Sequence, residues 1–279
     1  MKPEAAAGLL KEARAALEAK GFETAALDAR LLLQAAAGLN HAELVAEPQR
    51  VVGEEAVVRL RAMLARRLEA EPVSRILGKR EFYGRPFRVT EAVLDPRPDT
   101  ETLIEAALPL MGEGSRVLDL GTGSGIIAIT LLAECLGASG VAVDVSPGAL
   151  AVARCNAEDL GVAGRLALLR SDWFEAVEGR FDLIVSNPPY IPRGEIAGLV
   201  PEVKGFDPHL ALDGGGDGLD PYRRIAAGAG AHLEDGGHVL VEIGVGQEAD
   251  IAAIFAGAGF REAARHRDLG GRVRVLRFV

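Results

Sequence analysis

Asn187-Pro-Pro-Tyr190 is the segment of this chain whose residue types imply the most specific chemistry. Two consecutive prolines fix the backbone and carry no N–H, so their neighbourhood offers carbonyls without competing donors. The side-chain oxygen of Asn187 and the carbonyl of Pro188 can together accept both hydrogens of a planar NH₂ group. Pro189 stiffens the turn, and Tyr190 can stack on the same plane. Residues 187–190 therefore read as a substrate site for an amide or an exocyclic aromatic amine. Asn187, Pro188 and Tyr190 are the candidate catalytic residues.

A second constellation is Asp119-Leu-Gly-Thr-Gly-Ser-Gly125, at the expected junction of a strand and a helix. Glycines there admit close backbone approach, and a helix N-terminus favours an anionic group. Gly121, Gly123 and Gly125 form GxGxG, not the GxGxxG of the dinucleotide fingerprint. No Walker lysine follows, which argues against a nucleoside triphosphate. Asp144 ends the next strand, where a carboxylate can accept both ribose hydroxyls. NAD would want that too, but Asp119 and the wider motif suit S-adenosylmethionine better, with S-adenosylhomocysteine as product. Gly121, Thr122, Gly123, Ser124, Gly125 and Asp144 are the candidate cofactor residues, with Asn187 at the boundary of the two sites. Ser171-Asp-Trp-Phe174 supplies Asp172 for the adenine amino group. Trp173 either covers the ring face or packs in the core.

Clamp and cofactor suit methyl transfer to nitrogen. An amide nitrogen is a poor nucleophile because its lone pair is delocalised. Holding both its N–H bonds on acceptors lets it pyramidalise as the new bond forms, a stabilisation that grows in the transition state. Other chemistries lack support. The five histidines are dispersed and show no metal-ligand spacing, so no metal is expected. No Gly-x-Ser-x-Gly elbow occurs.

These motifs need a scaffold. From residue 115 short apolar strands alternate with helices: Arg116–Leu120, Gly140–Asp144, Leu166–Leu169, Phe181–Ser186 and Gly237–Ile243. That alternation implies a parallel α/β sheet covered on both faces. Two closing strands, near Phe260–His266 and Arg272–Phe278, can pair antiparallel. Residues 1–75 read instead as a helical bundle. Leu9, Leu10, Ala13, Ala16 and Leu17 share one face, Thr24 caps a helix carrying Leu27, Leu31 and Leu32, and Glu54–Glu69 forms another. Residues 76–98 hold a hairpin around Gly84 and a Pro-Arg-Pro break, a natural linker. Asp99 and Thr100 are placed to cap the next helix, in a catalytic domain spanning 99–279. The segment Ile191–Gly218, rich in Pro and Gly, reads as a lid.

The chain has 279 residues, with 49% hydrophobic and 25% charged, an ordinary globular balance. Residues 1–80 hold 13 Lys+Arg against 11 Asp+Glu, and the rest 18 against 29. The acidic remainder argues against a stable nucleic-acid partner. No apolar run reaches the roughly 18–20 residues of a membrane span. Neither a secretory signal nor a disulfide framework is evident. Cys135 and Cys155 read as small core residues in helices, and a cytoplasmic monomer is expected.

In combination the motifs resemble one family along the whole chain, the peptide chain release factor glutamine methyltransferases (PrmC/HemK). The matching segments are Pro96–Glu101, Asp119–Gly125, Asp144–Leu150 with Asn156-Ala157, Ser171–Phe174 and Asn187–Tyr190. Pro201-Glu202, Asp207-Pro208 and Ala211–Gly215 through Gly218-Leu219 complete the set. The resemblance implies a seven-stranded Rossmann-like methyltransferase sheet with its last strand antiparallel, a small N-terminal helical domain and a hairpin linker. It implies S-adenosylmethionine as cofactor and bacterial class-one release factors as partners. The glutamine of their Gly-Gly-Gln motif would be methylated on its side-chain nitrogen, and the helical domain would grip the release factor. Two residues depart from the family pattern: Asp95 replaces an apolar residue, and Val273 an acidic one. A ribosomal-protein glutamine methyltransferase and a nucleic-acid adenine methyltransferase share the clamp and stand as alternatives.

Overall fold

A computed structural model describes residues 4–279, which divide into two compact units. One comprises residues up to Gly78 together with Pro201–Phe206. The other comprises Lys79–Val200 and Asp207–Val279.

The first unit is helical. A short strand β1 (Glu4–Ala5) pairs antiparallel with β2 (Val51–Val52), around helices α1 (Ala6–Ala19), α2 (Ala25–Ala37) and α3 (His41–Ala46). Helices α4 (Glu54–Leu68) and α5 (Val73–Leu77) complete the bundle. Leu9, Leu32, Leu33, Leu44, Val57 and Leu60 form its main core. Two expectations for α2 need correction. Leu27 is exposed, because the buried stripe runs through Ala25, Asp28, Ala29, Leu32, Leu33 and Ala36. Thr24 stands at the N-cap position without capping; its hydroxyl donates to Asp28 Oδ2 at 3.0 Å. The break at Gly38–Asn40 starts α3, where Asn40 and Glu43 form a reciprocal capping box.

The second unit opens with the hairpin β3 (Lys79–Phe82) and β4 (Arg85–Arg88), turning on Tyr83 and Gly84, both at positive φ. Phe82 and Phe87 are buried in the core of this unit, and the division between the two units falls between Gly78 and Lys79. Helix α6 (Glu101–Ala107) follows. Then come β5 (Arg116–Leu120), α7 (Ile126–Glu134), β6 (Ser139–Asp144), α8 (Pro147–Asp159), β7 (Leu166–Arg170) and β8 (Phe181–Ser186). After a short helix α9 (Pro201–Lys204), which belongs to the first unit, come α10 (Asp220–His232), β9 (Leu233–Glu242), α11 (Glu248–Gly257), β10 (Glu262–Arg267) and β11 (Val273–Phe278).

The seven strands lie in the order β10-β11-β9-β8-β5-β6-β7. The run from β9 to β7 is parallel, and β11 is antiparallel to both its neighbours. Alternate strand residues feed two cores. Val117, Leu183, Val185 and Leu240 meet α6 and α7 on one face. Leu118, Ile184, Val239 and Val241 meet α10 and α11 on the other. Val273 is buried in the second core, so the family's acidic position is here an apolar packing residue. Cys135 lies just past the end of α7, and both cysteines are free and half-buried. No described helix is long and apolar enough to cross a membrane.

Candidate active site

Parallel register brings the motifs to one edge. Asp119 of β5 pairs with Ala142 of β6 on one side and Val185 of β8 on the other. The turn after β5, Asp144 at the end of β6 and the Asn187 segment after β8 therefore emerge at the carboxyl ends of adjacent strands. The connections from β5 run toward β6 on one side while β8 lies on the other. This is the switch point where open α/β sheets bind ligands. The Ser186 hydroxyl donates to the Leu120 carbonyl at 2.7 Å and ties the two loops together.

The glycine turn is built for close approach. Gly121, Gly123 and Gly125 all have positive φ. At Gly121 and Gly123 a Cβ would meet nothing within 4 Å, whereas at Gly125 it would stand 2.6 Å from Ile129 Cδ1 and 3.2 Å from Ala153 Cβ. The third glycine therefore lets α7 sit close to α8. Buried Asn156 braces the turn: its Nδ2 donates to the Ser124 carbonyl at 2.8 Å, and its Oδ1 accepts the Arg88 N–H at 2.7 Å.

A cavity of about 630 Å³ lies over this edge. Gly121, Thr122, Gly123, Ser124, Asp144, Asp172, Trp173, Asn187 and Pro189 all line it. Three predicted residues are not on its wall. Gly125 lies behind the turn, Pro188 is buried, and Tyr190 packs against the second core and Gly244. Burial pushes the Tyr190 phenol up to about 12. No donor among the described residues occupies the Pro188 carbonyl.

Asp172 is not a free acceptor. Both its oxygens take hydrogen bonds from Arg224 Nη1, at 2.7 and 2.9 Å, and Arg224 shares the cavity wall. The far wall is made by Ala92–Leu94, Pro96-Arg97 and Pro208–Ala211. Asp207 joins these strips: its carboxylate accepts from the Asp95 N–H at 3.1 Å and from Arg97 Nη2 at 2.7 Å. Asp95 is itself buried: its Oδ2 stands 3.9 Å from Arg80 Nη1 and its Oδ1 has no hydrogen-bond partner.

Thr100 departs from its expected role. Its hydroxyl does not cap α6 but accepts from Asn187 Nδ2 at 3.1 Å, in a fully buried position. Asp99 instead pairs with Arg274 at 2.7 Å. Behind Asn187 lies Glu242, 1% exposed, whose charged form is favoured by the nearby side chains of Thr100 and Asn187. Sequence reasoning missed Thr100, Glu242, Arg274 and Arg224 as parts of this edge. A lone glutamate inside the apolar run Val239–Ile243 was the available signal.

The cavity fits S-adenosylmethionine. Asp144 gives its wall a carboxylate and Trp173 an aromatic ring. Buried Asp119 has one oxygen bound by Thr122 Oγ1 (2.6 Å) and the Ala128 N–H (3.3 Å), while its Oδ1 has no partner. Asp119 is fully buried beneath the turn, off the cavity wall, and burial lifts its carboxyl to about 7. Among the described residues no His/Cys/Asp/Glu cluster could hold a metal.

Sheet order, glycine turn and cavity define an S-adenosylmethionine-dependent methyltransferase. Residues 8–78 match the PrmC N-terminal domain model and residues 96–200 the methyltransferase small domain model. A release factor glutamine methyltransferase of Cereibacter sphaeroides is 52% identical over 97% of each chain. Another, from Agrobacterium fabrum, is 47% identical over 95% of this chain and 94% of its own. The chain belongs to the release factor glutamine methyltransferase family. Its sheet also resembles a ribosomal protein L11 methylase structure from Lactobacillus delbrueckii subsp. bulgaricus. That match has a TM-score of 0.50 and 24% identity, and covers 72% of this chain and 89% of that one.

Proposed function

We propose that this protein transfers a methyl group from S-adenosylmethionine to the side-chain nitrogen of a glutamine in a peptide chain release factor, within its Gly-Gly-Gln motif. The single observation that carries the reading is the state of Asn187. Its amide NH₂ is turned toward Thr100 and Glu242, and its Oδ1 has no donor among the described residues while Asn187 lines the cavity. An unclaimed acceptor on the cavity wall suits one hydrogen of a primary amide, and the unclaimed carbonyl of Pro188, a buried residue set back from that wall, would take the second.

Bound S-adenosylmethionine supplies a methyl group on a positively charged sulfur, a strong electrophile. The chain supplies orientation. Gly121–Ser124 and Asp144 would hold the cofactor, with Asp172 and Trp173 at its adenine end. Asn187 and Pro188 would hold the glutamine nitrogen with its lone pair toward the methyl group. No strong base is needed, because the nitrogen becomes acidic once methylated and sheds its proton to solvent. Tyr190 supports the loop from behind: Gln247 Nε2 donates to its carbonyl at 3.0 Å.

The test mixes purified protein, labelled S-adenosylmethionine and unmodified release factor, then reads digested peptides by mass spectrometry. The reading expects one methyl on the Gly-Gly-Gln glutamine. Label on ribosomal protein or nucleic acid, with none on release factor, overturns it.

A further inference from the structure

We infer that Glu242 is a positioning residue for methyl transfer: its carboxylate fixes which way the Asn187 amide faces, so that Oδ1 and not Nδ2 is presented to the substrate. The inference rests on the reading that Asn187 receives the glutamine NH₂.

The geometry begins in the sheet. Ser186 of β8 stands in register with Val241 of β9, so the next residues, Asn187 and Glu242, are neighbours across the two strand ends. Glu242 is 1% exposed, its backbone carbonyl accepts from the Tyr222 hydroxyl at 2.9 Å, and its Oε2 has no partner. A buried carboxylate with an unpaired oxygen is costly, and no strand needs one for packing. The side chains near enough to favour its charged form are Thr100 and Asn187, which are joined to each other at 3.1 Å, and Asn187 lines the cavity.

Hydrogen-bond polarity then follows by elimination. An ionised carboxylate only accepts. The Thr100 hydroxyl therefore spends its one hydrogen on Glu242 and is left as an acceptor toward Asn187. Asn187 must then turn its NH₂ to Thr100 and Glu242, as the 3.1 Å contact to Thr100 Oγ1 records. Its oxygen is left for the cavity. With an apolar side chain at 242, Thr100 can donate to Asn187 Oδ1 instead. The amide can then flip and set its own NH₂ against that of the substrate.

Protonation acts in the same direction. A protonated Glu242 can donate to Thr100 and release the constraint. Burial raises the Glu242 carboxyl to about 7, against the Thr100 bond that lowers it. Asp99 raises it further, whereas Arg274 and the Asn187 bond lower it, and the phenols of Tyr190 and Tyr222 face the same group.

The experiment measures kcat and KM, for release factor and for S-adenosylmethionine, between pH 5.5 and 8.5. It compares wild type, Glu242→Leu, Glu242→Gln and Asn187→Ala, with melting temperature alongside. Glu242→Leu is expected to lower kcat by roughly tenfold or more with cofactor KM little changed and no loss of melting temperature at pH 8. Glu242→Gln, which keeps an acceptor oxygen, recovers part of that rate and loses the rise of kcat through pH 7 seen in wild type. A Glu242→Leu enzyme with wild-type kcat overturns the inference. So do equal losses in Leu and Gln variants that keep the wild-type pH profile. Should the Glu242 variants not fold, Thr100→Val and Thr100→Ser decide: Val must slow transfer and Ser restore it, and a wild-type rate in Thr100→Val overturns the inference. A wild-type enzyme silent on release factor takes down the substrate reading and this inference together. An active wild type beside an equally active Glu242→Leu removes this inference alone.

Discussion

The Asp144 carboxylate grips the glycine turn: Oδ2 accepts the Gly123 N–H at 2.9 Å while Oδ1 accepts the Ser146 N–H at 2.9 Å. One side chain thus couples the loop after β5 to the start of α8. Burial raises its carboxyl, and these N–H bonds pull it back. Asp144→Asn has one acceptor oxygen for two N–H groups, so its NH₂ must face one of them. The cofactor dissociation constant should rise roughly tenfold or more, with kcat at saturating cofactor far less affected. Calorimetric titration with S-adenosylmethionine measures this, and an unchanged affinity removes Asp144 from the ribose site.

Asn187→Ala removes the acceptor but leaves the glycine turn and Asp144 intact. The loss belongs to the transition state, where the nitrogen gains positive charge and its hydrogens bind more tightly. Transfer should fall by roughly 100-fold or more, the scale seen when one preorganised transition-state contact is deleted. Cofactor affinity should change little. Single-turnover rates at saturating cofactor provide the check; a mutant within a few-fold of wild type breaks the clamp mechanism.

Much of this edge was legible in the residues because it is local in the chain. Strands Arg116–Leu120 and Phe181–Ser186 coincide with the structure, since each is an apolar run bounded by turn-forming residues. The glycine turn and the Asn187 segment are likewise contiguous. What escaped depends on neighbours far apart in sequence. Asp172 meets Arg224 and Asn187 meets Thr100 only because the sheet folds their loops together. Asp99 and Thr100 have good capping chemistry, but tertiary partners claimed both. Helix α3 is the opposite case: its Asn40–Glu43 capping box is local and was readable, yet six residues carry too little periodicity to stand out.

Gly123 and Gly125 should fail in different ways when changed to alanine. Both have positive φ, which costs any other residue about 1 kcal/mol. At Gly125 the added Cβ also meets Ile129 and Ala153; the isoleucine tip can swing away, but Ala153 is fixed in α8. Gly125→Ala should lose roughly 1–3 kcal/mol of stability. At Gly123 the same methyl enters open space beside the cavity, so its effect should fall on cofactor affinity. Urea denaturation and cofactor titration of both variants separate the two.

Asp119 gives stability a definite pH dependence. Its carboxyl sits at about 7 in the folded protein, against an ordinary value of 3.8, chiefly because it is buried. Between those values the folded chain holds a proton that the unfolded chain has released. Stability is therefore fully present below about pH 4, falls as pH rises toward 7, and levels off above it. Asp119→Asn removes that contribution. The variant should gain on wild type as pH rises from 5 to 8, by at most a few kcal/mol. Denaturation of the cofactor-free protein at pH 5, 6.5 and 8 tests the sign. A gap that does not widen with pH sinks the argument.

Arg67 should be the most sensitive side chain of the helical unit. It is 4% exposed, its Nε donates to Asp28 Oδ2 at 2.8 Å, and its Nη2 stands 2.5 Å from Glu202 Oε1. Its guanidinium also lies 3.9 Å from the Phe22 ring centroid. Arg67 therefore links α4 to α2 and to the returning segment of residues 201–206. Arg67→Ala leaves buried Asp28 with only the Thr24 hydroxyl for company. Breaking one partner from such a pair costs about 3–5 kcal/mol, mostly the stranded charge. Lysine should not rescue it, because a point charge cannot serve two carboxylates and stack on an aromatic face together. Replacing both members, Arg67→Met with Asp28→Leu, should recover much of the loss, since no unpaired charge remains. Glu202→Gln alters a partly exposed partner and should cost under about 1 kcal/mol. Hydrogen exchange of α2 and α4 in these variants reads the effect locally. If Arg67→Ala loosens those helices no more than Glu202→Gln does, the arginine is an ornament of the bundle and its two carboxylates are held by solvent.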